Sequence, residues 1–187
     1  MIRIFRYILK TDNGMAPCID GELLSLATCK PKIRSSARPG DWVMGFYPKP
    51  KPRGVLAWAA RVERCLSVGD YQLQFTTRSD AVYRLLEDGS YERLRPAYHD
   101  KNKSFRKDIS APVLVFDRAE TWYFGGSPQQ LPPGLTHLAA SGQGHRVRGV
   151  ADGDVATLTA WLRNCGPPGI YGRPRDRPSR KTPLRSC

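Results

Sequence analysis

Between Cys29 and Tyr47 the chain sets Lys30, Lys32, Arg34 and Arg38 ahead of a Pro39-Gly40-Asp41 turn, then runs apolar and aromatic through Trp42-Val43-Met44-Gly45-Phe46-Tyr47. Pro39 presets φ and Gly40 accepts a positive φ at no steric cost, so the chain can reverse here and enter a strand at Trp42. The four cations then fall in the approach loop, beside the mouth of whatever that strand helps to build. Charge next to stacking surface suits a phosphate-bearing ligand or a nucleic acid. A solvated basic loop ahead of an ordinary buried strand is the plainer alternative.

The same idiom of short β-type runs between turn signals continues along the chain. Ile2 to Leu9 reads as an opening strand that stops at Asp12-Asn13-Gly14, and Glu22 to Ala27 as a short strand leading into the central segment. Alternating prolines from Pro48 to Arg53 block a ladder and give a second basic loop, carrying Lys49, Lys51 and Arg53. Val55 to Ser67 alternates as a long half-buried strand, and residues 70–75 form a short helix or turn. Asp88-Gly89 between Val82–Leu86 and Tyr91–Leu94 marks a hairpin. A polar loop is expected over 96–108, strands over 112–116 and 121–124, and a loop over 129–138. One helix is expected over 152–164, with Asp152 as its cap and Val155, Leu158, Trp161 and Leu162 on its apolar face. The pattern implies a mainly β (α+β) fold with few helices, built as a partly closed small barrel because closure removes exposed edges.

With 187 residues the chain is long enough for one domain with its own core. The boundary falls near residue 172. Residues 173–187 form an Arg-, Pro- and Ser-rich tail whose composition cannot offset the cost of ordering. Thirty Lys and Arg against 17 Asp and Glu give a formal charge of +13, only part of which lies in the tail, so the domain is basic on its own account. A positive surface attracts polyanions but also promotes solubility, so it supports nucleic acid without selecting it. Five widely spaced cysteines without a C-x-x-C pair give no zinc pattern and no disulfide framework. No apolar run reaches the ~20 residues that span a bilayer, which implies a cytoplasmic protein with reduced thiols and no membrane contact. Walker, dinucleotide-binding, G-x-S-x-G and H-E-x-x-H patterns are all missing, so neither a cofactor nor a metal is expected.

Six short motifs stand in order: Thr28-Cys29-Lys30-Pro31-Lys32-Ile33-Arg34, Gly40-Asp41-Trp42, Gly54-Val55-Leu56, His99-Asp100, Trp122-Tyr123-Phe124-Gly125 and Gly144-His145-Arg146. Together they resemble the nucleotide modification associated domain family, second type, over roughly residues 1–172. The resemblance implies a bacterial or phage domain acting in pathways that modify DNA bases or recognise modified ones. The Gly-Asp-aromatic strand opening is also similar to the PUA-like group, which includes EVE, YTH and ASCH domains. Several of those domains hold a modified base in an aromatic-lined pocket, and the similarity implies a pocket here without fixing its chemistry.

Candidate residues follow from both readings. A base out of its stack is gripped by aromatic faces, for which Trp42, Tyr47, Trp122 and Tyr123 are candidates, each with a core role as its alternative. Lys30, Lys32, Arg34 and Arg146 are candidates for phosphate, Arg offering the bidentate fork that Lys lacks. His99, Asp100 and His145 are the only acid-base candidates, and on a strand the adjacent pair would point to opposite faces. The leading expectation is a binding module for a nucleic acid or nucleotide, DNA in preference, that recognises a modified base. Two alternatives stay open: an enzyme acting on nucleotides or bases through those histidines, and an interaction domain whose basic tail meets an acidic partner.

Overall fold

The alternation Trp42-Val43-Met44-Gly45-Phe46 divides two sides of a sheet, as a period of two requires. Trp42, Met44 and Phe46 enter one apolar cluster and Val43 enters another. Around this strand the computed structural model, which describes residues 2–96, 98–142, 144–147 and 150–176, arranges eleven strands and few helices. The strands are β1 (Ile4–Ile8), β2 (Cys18–Asp20), β3 (Leu23–Leu26), β4 (Trp42–Phe46), β5 (Val55–Leu66), β6 (Tyr83–Leu85), β7 (Tyr91–Arg93), β8 (Val113–Tyr123), β9 (Gln129–Gln130), β10 (His145–Arg146) and β11 (Gly169–Ile170). The helices are α1 (Pro31–Ser36), α2 (Val68–Gln74), α3 (Asn102–Ile109) and α4 (Asp154–Cys165), with a 3₁₀ helix over Pro133–Leu138.

The mainly β, α+β class is the one the sequence implies. The large sheet runs in the order β10-β1-β4-β5-β8-β3-β2, with β9 and β11 on its flanks, and this path stays open rather than closing into a barrel. One face carries Phe5, Tyr7, Trp58, Phe116 and Tyr123. The other buries Trp42, Met44 and Trp122 under the 3₁₀ helix and under Leu158 and Leu162 of α4. Tyr71, Tyr83 and Tyr98 gather a third cluster around α2 and the β6–β7 hairpin.

Local differences from the sequence reading have local causes. Residues 31–36 are a helix rather than a loop, because Pro31 sits in its first turn with φ already helical. The polar loop 96–108 contains α3, whose apolar residues Phe105 and Ile109 pack on the third cluster. The two strands expected at 112–116 and 121–124 are one, β8, with an irregular register opposite β5 between Phe116 and Thr121. There Asp117 takes hydrogen bonds locally: its carboxylate accepts from Ala119 N–H and its carbonyl from the Thr121 hydroxyl. In α4 the cap position is Gly153, not Asp152, and Asp154 accepts from Ala151 N–H at 2.6 Å. Tyr171 to Asp176 lies back across the domain, with Tyr171 N–H donating to Tyr123 O and Asp176 N–H to Asp12 O. Ordered chain therefore continues past residue 172, while Gln143 and the tail from Arg177 lie outside the described residues.

Candidate functional site

Strand pairing decides which loops meet. β1 and β4 are parallel, in register from Ile4–Trp42 to Ile8–Phe46, so their carboxyl ends lie side by side. The segment after β1 carries Lys10 and the segment after β4 carries the proline-rich basic loop, and Leu9 N–H donates to Phe46 O between them. On the other side of β1, β10 pairs antiparallel and sets His145 opposite Tyr7. The start of α1 closes the corner. Lys30, in a left-handed conformation with φ 46°, holds its ammonium 4.7 Å from the centre of the Tyr7 ring.

Two recesses flank this end of β1. The first, about 700 Å³, is lined by Tyr7, Ile8, Leu9, Lys10, Thr11, Ala16, Lys30, Pro31, Lys32, Ile33, Lys107, Gly144 and His145. The second, about 630 Å³, is lined by Ile8, Lys10, Tyr47, Pro48, Lys49, Pro50, Lys51, Pro52, Arg53, Gly54, Ala140, Ser141 and Gly142. They share Ile8 and Lys10, and among the described residues no carboxylate lines either one. The two basic loops that are separate in sequence thus border adjacent recesses that share Ile8 and Lys10. Burial, and then the positive charge of Lys10, lower the Lys30 pKa. Burial, followed by Lys32, lowers that of His145. Like charges crowded without a counter-charge favour an anion in the gap.

Of the residues singled out from sequence, Lys30, Lys32 and His145 line the first recess and Tyr47 the second. Arg146 is exposed and donates to the Ser141 carbonyl, on the rim of the second recess. The others lie elsewhere. Arg34 is fully buried and donates to the carbonyls of Cys29, Asp108, Ala111 and Pro112, so its fork ties α1 to the end of α3 instead of facing solvent. Trp42 and Trp122 stack on each other within the core, ring centroids 6.3 Å apart, and Trp122 Nε1 donates to Gly166 O. Tyr123 is equally buried, and with Tyr47 donates to the carboxylate of Asp12. Trp42, Trp122 and Tyr123 serve the sheet's interior.

His99 and Asp100 part company. Asp100 is exposed, while His99 is 6% exposed, stacked on Tyr98, with Nδ1 2.5 Å from Asp108 Oδ2 and Nε2 3.6 Å from Cys29 Sγ. The orienting carboxylate for His99 is therefore Asp108, which also accepts from Tyr83 Oη and Cys29 N–H. His99 and His145 do not share a site: His145 stands on β10 against Phe5.

Tyr7, Lys10 and Lys107 are site residues that reasoning from sequence passes over. Tyr7 and Lys10 belong to a run that reads simply as a strand, and Lys107 to a stretch that reads as polar loop. The β10-β1-β4 order brings Tyr7 and Lys10 there, and the Arg34 tie between α1 and the end of α3 brings Lys107.

No curated protein and no solved structure matches the chain. A family model described as Nucleotide modification associated domain 2 matches residues 1–181, nearly the whole chain. The chain belongs to the Nucleotide modification associated domain 2 family.

Proposed function

We propose that the protein is a nucleic-acid-binding module, with DNA as the favoured partner, that recognises a modified base within a nucleotide-modification pathway. The observation that carries this reading is that the loops around Lys30 and Lys51 line two adjacent recesses, joined at Ile8 and Lys10, without a carboxylate among the described residues of either lining. Such a surface gains binding free energy by releasing counterions from a phosphate backbone. Family membership supports the nucleotide context. Of the four aromatic candidates only Tyr47 lines the groove, and it is itself only 3% exposed, so base contact falls chiefly to the proline-rich segment beside it.

The reading is tested by fluorescence anisotropy of the full chain with single- and double-stranded DNA and RNA of one sequence, carrying canonical or modified bases, at low salt. Binding should exceed that to a neutral polymer, rank one modified base above its parent, and weaken on Lys32→Ala/Lys107→Ala. Equal response to the neutral polymer would overturn it.

A further inference from the structure

The two recesses differ in chemistry. The first is lined by Lys30, Lys32, Lys107 and His145, with the Lys30 ammonium 4.7 Å from the centre of the Tyr7 ring. The second is walled largely by carbon, from Pro48, Pro50, Pro52 and Ala140 beside the Tyr47 ring, with its cations carried on long stems. Their shared wall is Ile8 and Lys10, so they stand next to each other rather than on separate parts of the surface.

We propose that the two recesses are halves of one nucleotide-monophosphate site, with the phosphate in the lysine recess, the base against the proline wall, and Lys10 between them. The inference rests on the nucleic-acid reading of the same groove and assigns its parts. Each half suits one portion of a nucleotide better than the other. Three ammoniums beside an imidazole, without a carboxylate, give an anion several charge-assisted hydrogen bonds. An uncharged ring gains nothing comparable there. Proline rings offer a flat base apolar contact, while Lys49, Lys51 and Arg53 around them are placed to meet the flanking phosphates of a longer chain. Each recess lies within the roughly 300–1,000 Å³ range of small-ligand pockets, so the pair has room for a nucleotide.

Tyr47 is not free to move into the recess. Its hydroxyl donates to Asp12 Oδ2 at 2.6 Å and to Gly125 O at 2.9 Å, and the Arg175 guanidinium lies 4.2 Å from its ring centre. The base-facing wall is thus held in place before a ligand arrives, which lowers the ordering cost of binding.

Calorimetric titration of the full chain with inorganic phosphate, thymidine and thymidine 5′-monophosphate tests the division. The monophosphate should bind at least tenfold more tightly than either part. Lys32→Ala should weaken phosphate and monophosphate by a similar factor and spare thymidine. Pro50→Ser/Pro52→Ser, at exposed positions, should weaken thymidine and monophosphate and spare phosphate. As a check that needs no variant, a 5-iodo-deoxyuridine monophosphate irradiated on the wild-type protein should crosslink within residues 47–54 or 140–142. Equal affinity for phosphate and monophosphate, or crosslinks elsewhere, would overturn the two-part site while leaving polyanion binding intact. Oligonucleotide binding with no monophosphate binding would also overturn it, whereas failure of the oligonucleotide itself would remove the broader reading.

Discussion

Asp12 and Asp176 bind each other through two hydrogen bonds: Asp176 N–H donates to Asp12 O at 2.7 Å, and Asp12 N–H donates to the Asp176 carboxylate, Oδ2, at 2.9 Å. The pair fastens the segment after β11 to the end of β1, beside the groove. Arg175 reinforces the fastening by donating to Lys10 O at 2.9 Å. Asp176→Ala should lower unfolding free energy by about 1 kcal/mol, the usual net value of a hydrogen bond. In urea, the midpoint should fall with the m-value unchanged. The Asp176 pKa is lowered, first by its hydrogen bond from Arg175. Its contribution is therefore complete above the ordinary aspartate range and is lost as pH falls through the depressed value.

Arg34 is the residue whose loss should cost most. Arg34→Ala strands buried carbonyls at Cys29, Asp108, Ala111 and Pro112, and removes the cation 3.9 Å from Asp108. The expected loss is roughly 3–5 kcal/mol. Arg34→Lys should recover only part of it, since one ammonium cannot reproduce the planar fork. Thermal melts of both variants beside Lys32→Ala check this, with the exposed Lys32 variant expected to melt like the wild type.

Gly45 is fixed by its neighbour rather than by its backbone torsions. A Cβ there would run into the indole of Trp58, the residue opposite it on β5, and Trp58 is fully buried. Gly45→Ala should destabilise by about 1–3 kcal/mol through overpacking. Chemical denaturation measures the loss, and Gly89→Ala serves to separate packing from conformation. At Gly89 a Cβ meets nothing, but φ is +80°, so any cost there is conformational.

These contrasts show how much of the molecule is legible in its sequence. Period-two alternation locates β5, β-type composition locates β1, the Pro39-Gly40 turn locates the start of β4, and Asp88-Gly89 locates the β6–β7 hairpin, because each signal lies within one local segment. The loops at 30–38 and 49–53 both read as basic from composition alone, but their meeting at adjacent recesses follows from the parallel pairing of β1 with β4, which brings Lys10 beside residues 48–54, and from Lys30 at the start of α1 lying over Tyr7. Sequence cannot show that Arg34 points inward while Lys32, two residues away, points outward. That depends on α1 being helical and on where α3 ends. Nor can composition separate Tyr47, at the groove, from Trp42 and Trp122, which serve the core. All three are buried aromatic residues in or beside strands, but Tyr47 packs in the cluster on one face and borders the second recess, while Trp42 and Trp122 lie under the 3₁₀ helix and α4. Asp12 reads as a turn residue, and the hydroxyls of Tyr47 and Tyr123 that meet it come from distant parts of the chain.

His145 gives the groove a pH dependence. Its pKa is lowered by burial and then by Lys32, so in the unliganded protein it is neutral at pH 7 and protonates below the ordinary histidine value. A bound phosphodiester favours the protonated ring, so affinity should rise as pH falls below about 6.5. Protonation without ligand is opposed by the fold, so free-protein stability should decline over the same interval. An oligonucleotide without terminal phosphate, titrated from pH 7.5 to 5.5, checks the first point. His145→Gln should flatten the profile.

Two basic loops acting as one polyanion-binding face should leave their mark on the salt dependence of binding. Oligonucleotide affinity should be measured across a salt series for the wild type, Lys32→Ala/Lys107→Ala, Lys49→Ala/Lys51→Ala and the fourfold variant. Removing one lysine that neutralises a phosphate should reduce the slope of log K against log salt by about 0.7–0.9. The predicted result is that each double variant lowers the slope and that the fourfold variant lowers it by their sum. A wild-type slope in all three variants would contradict a shared face, and would move polyanion binding off this groove.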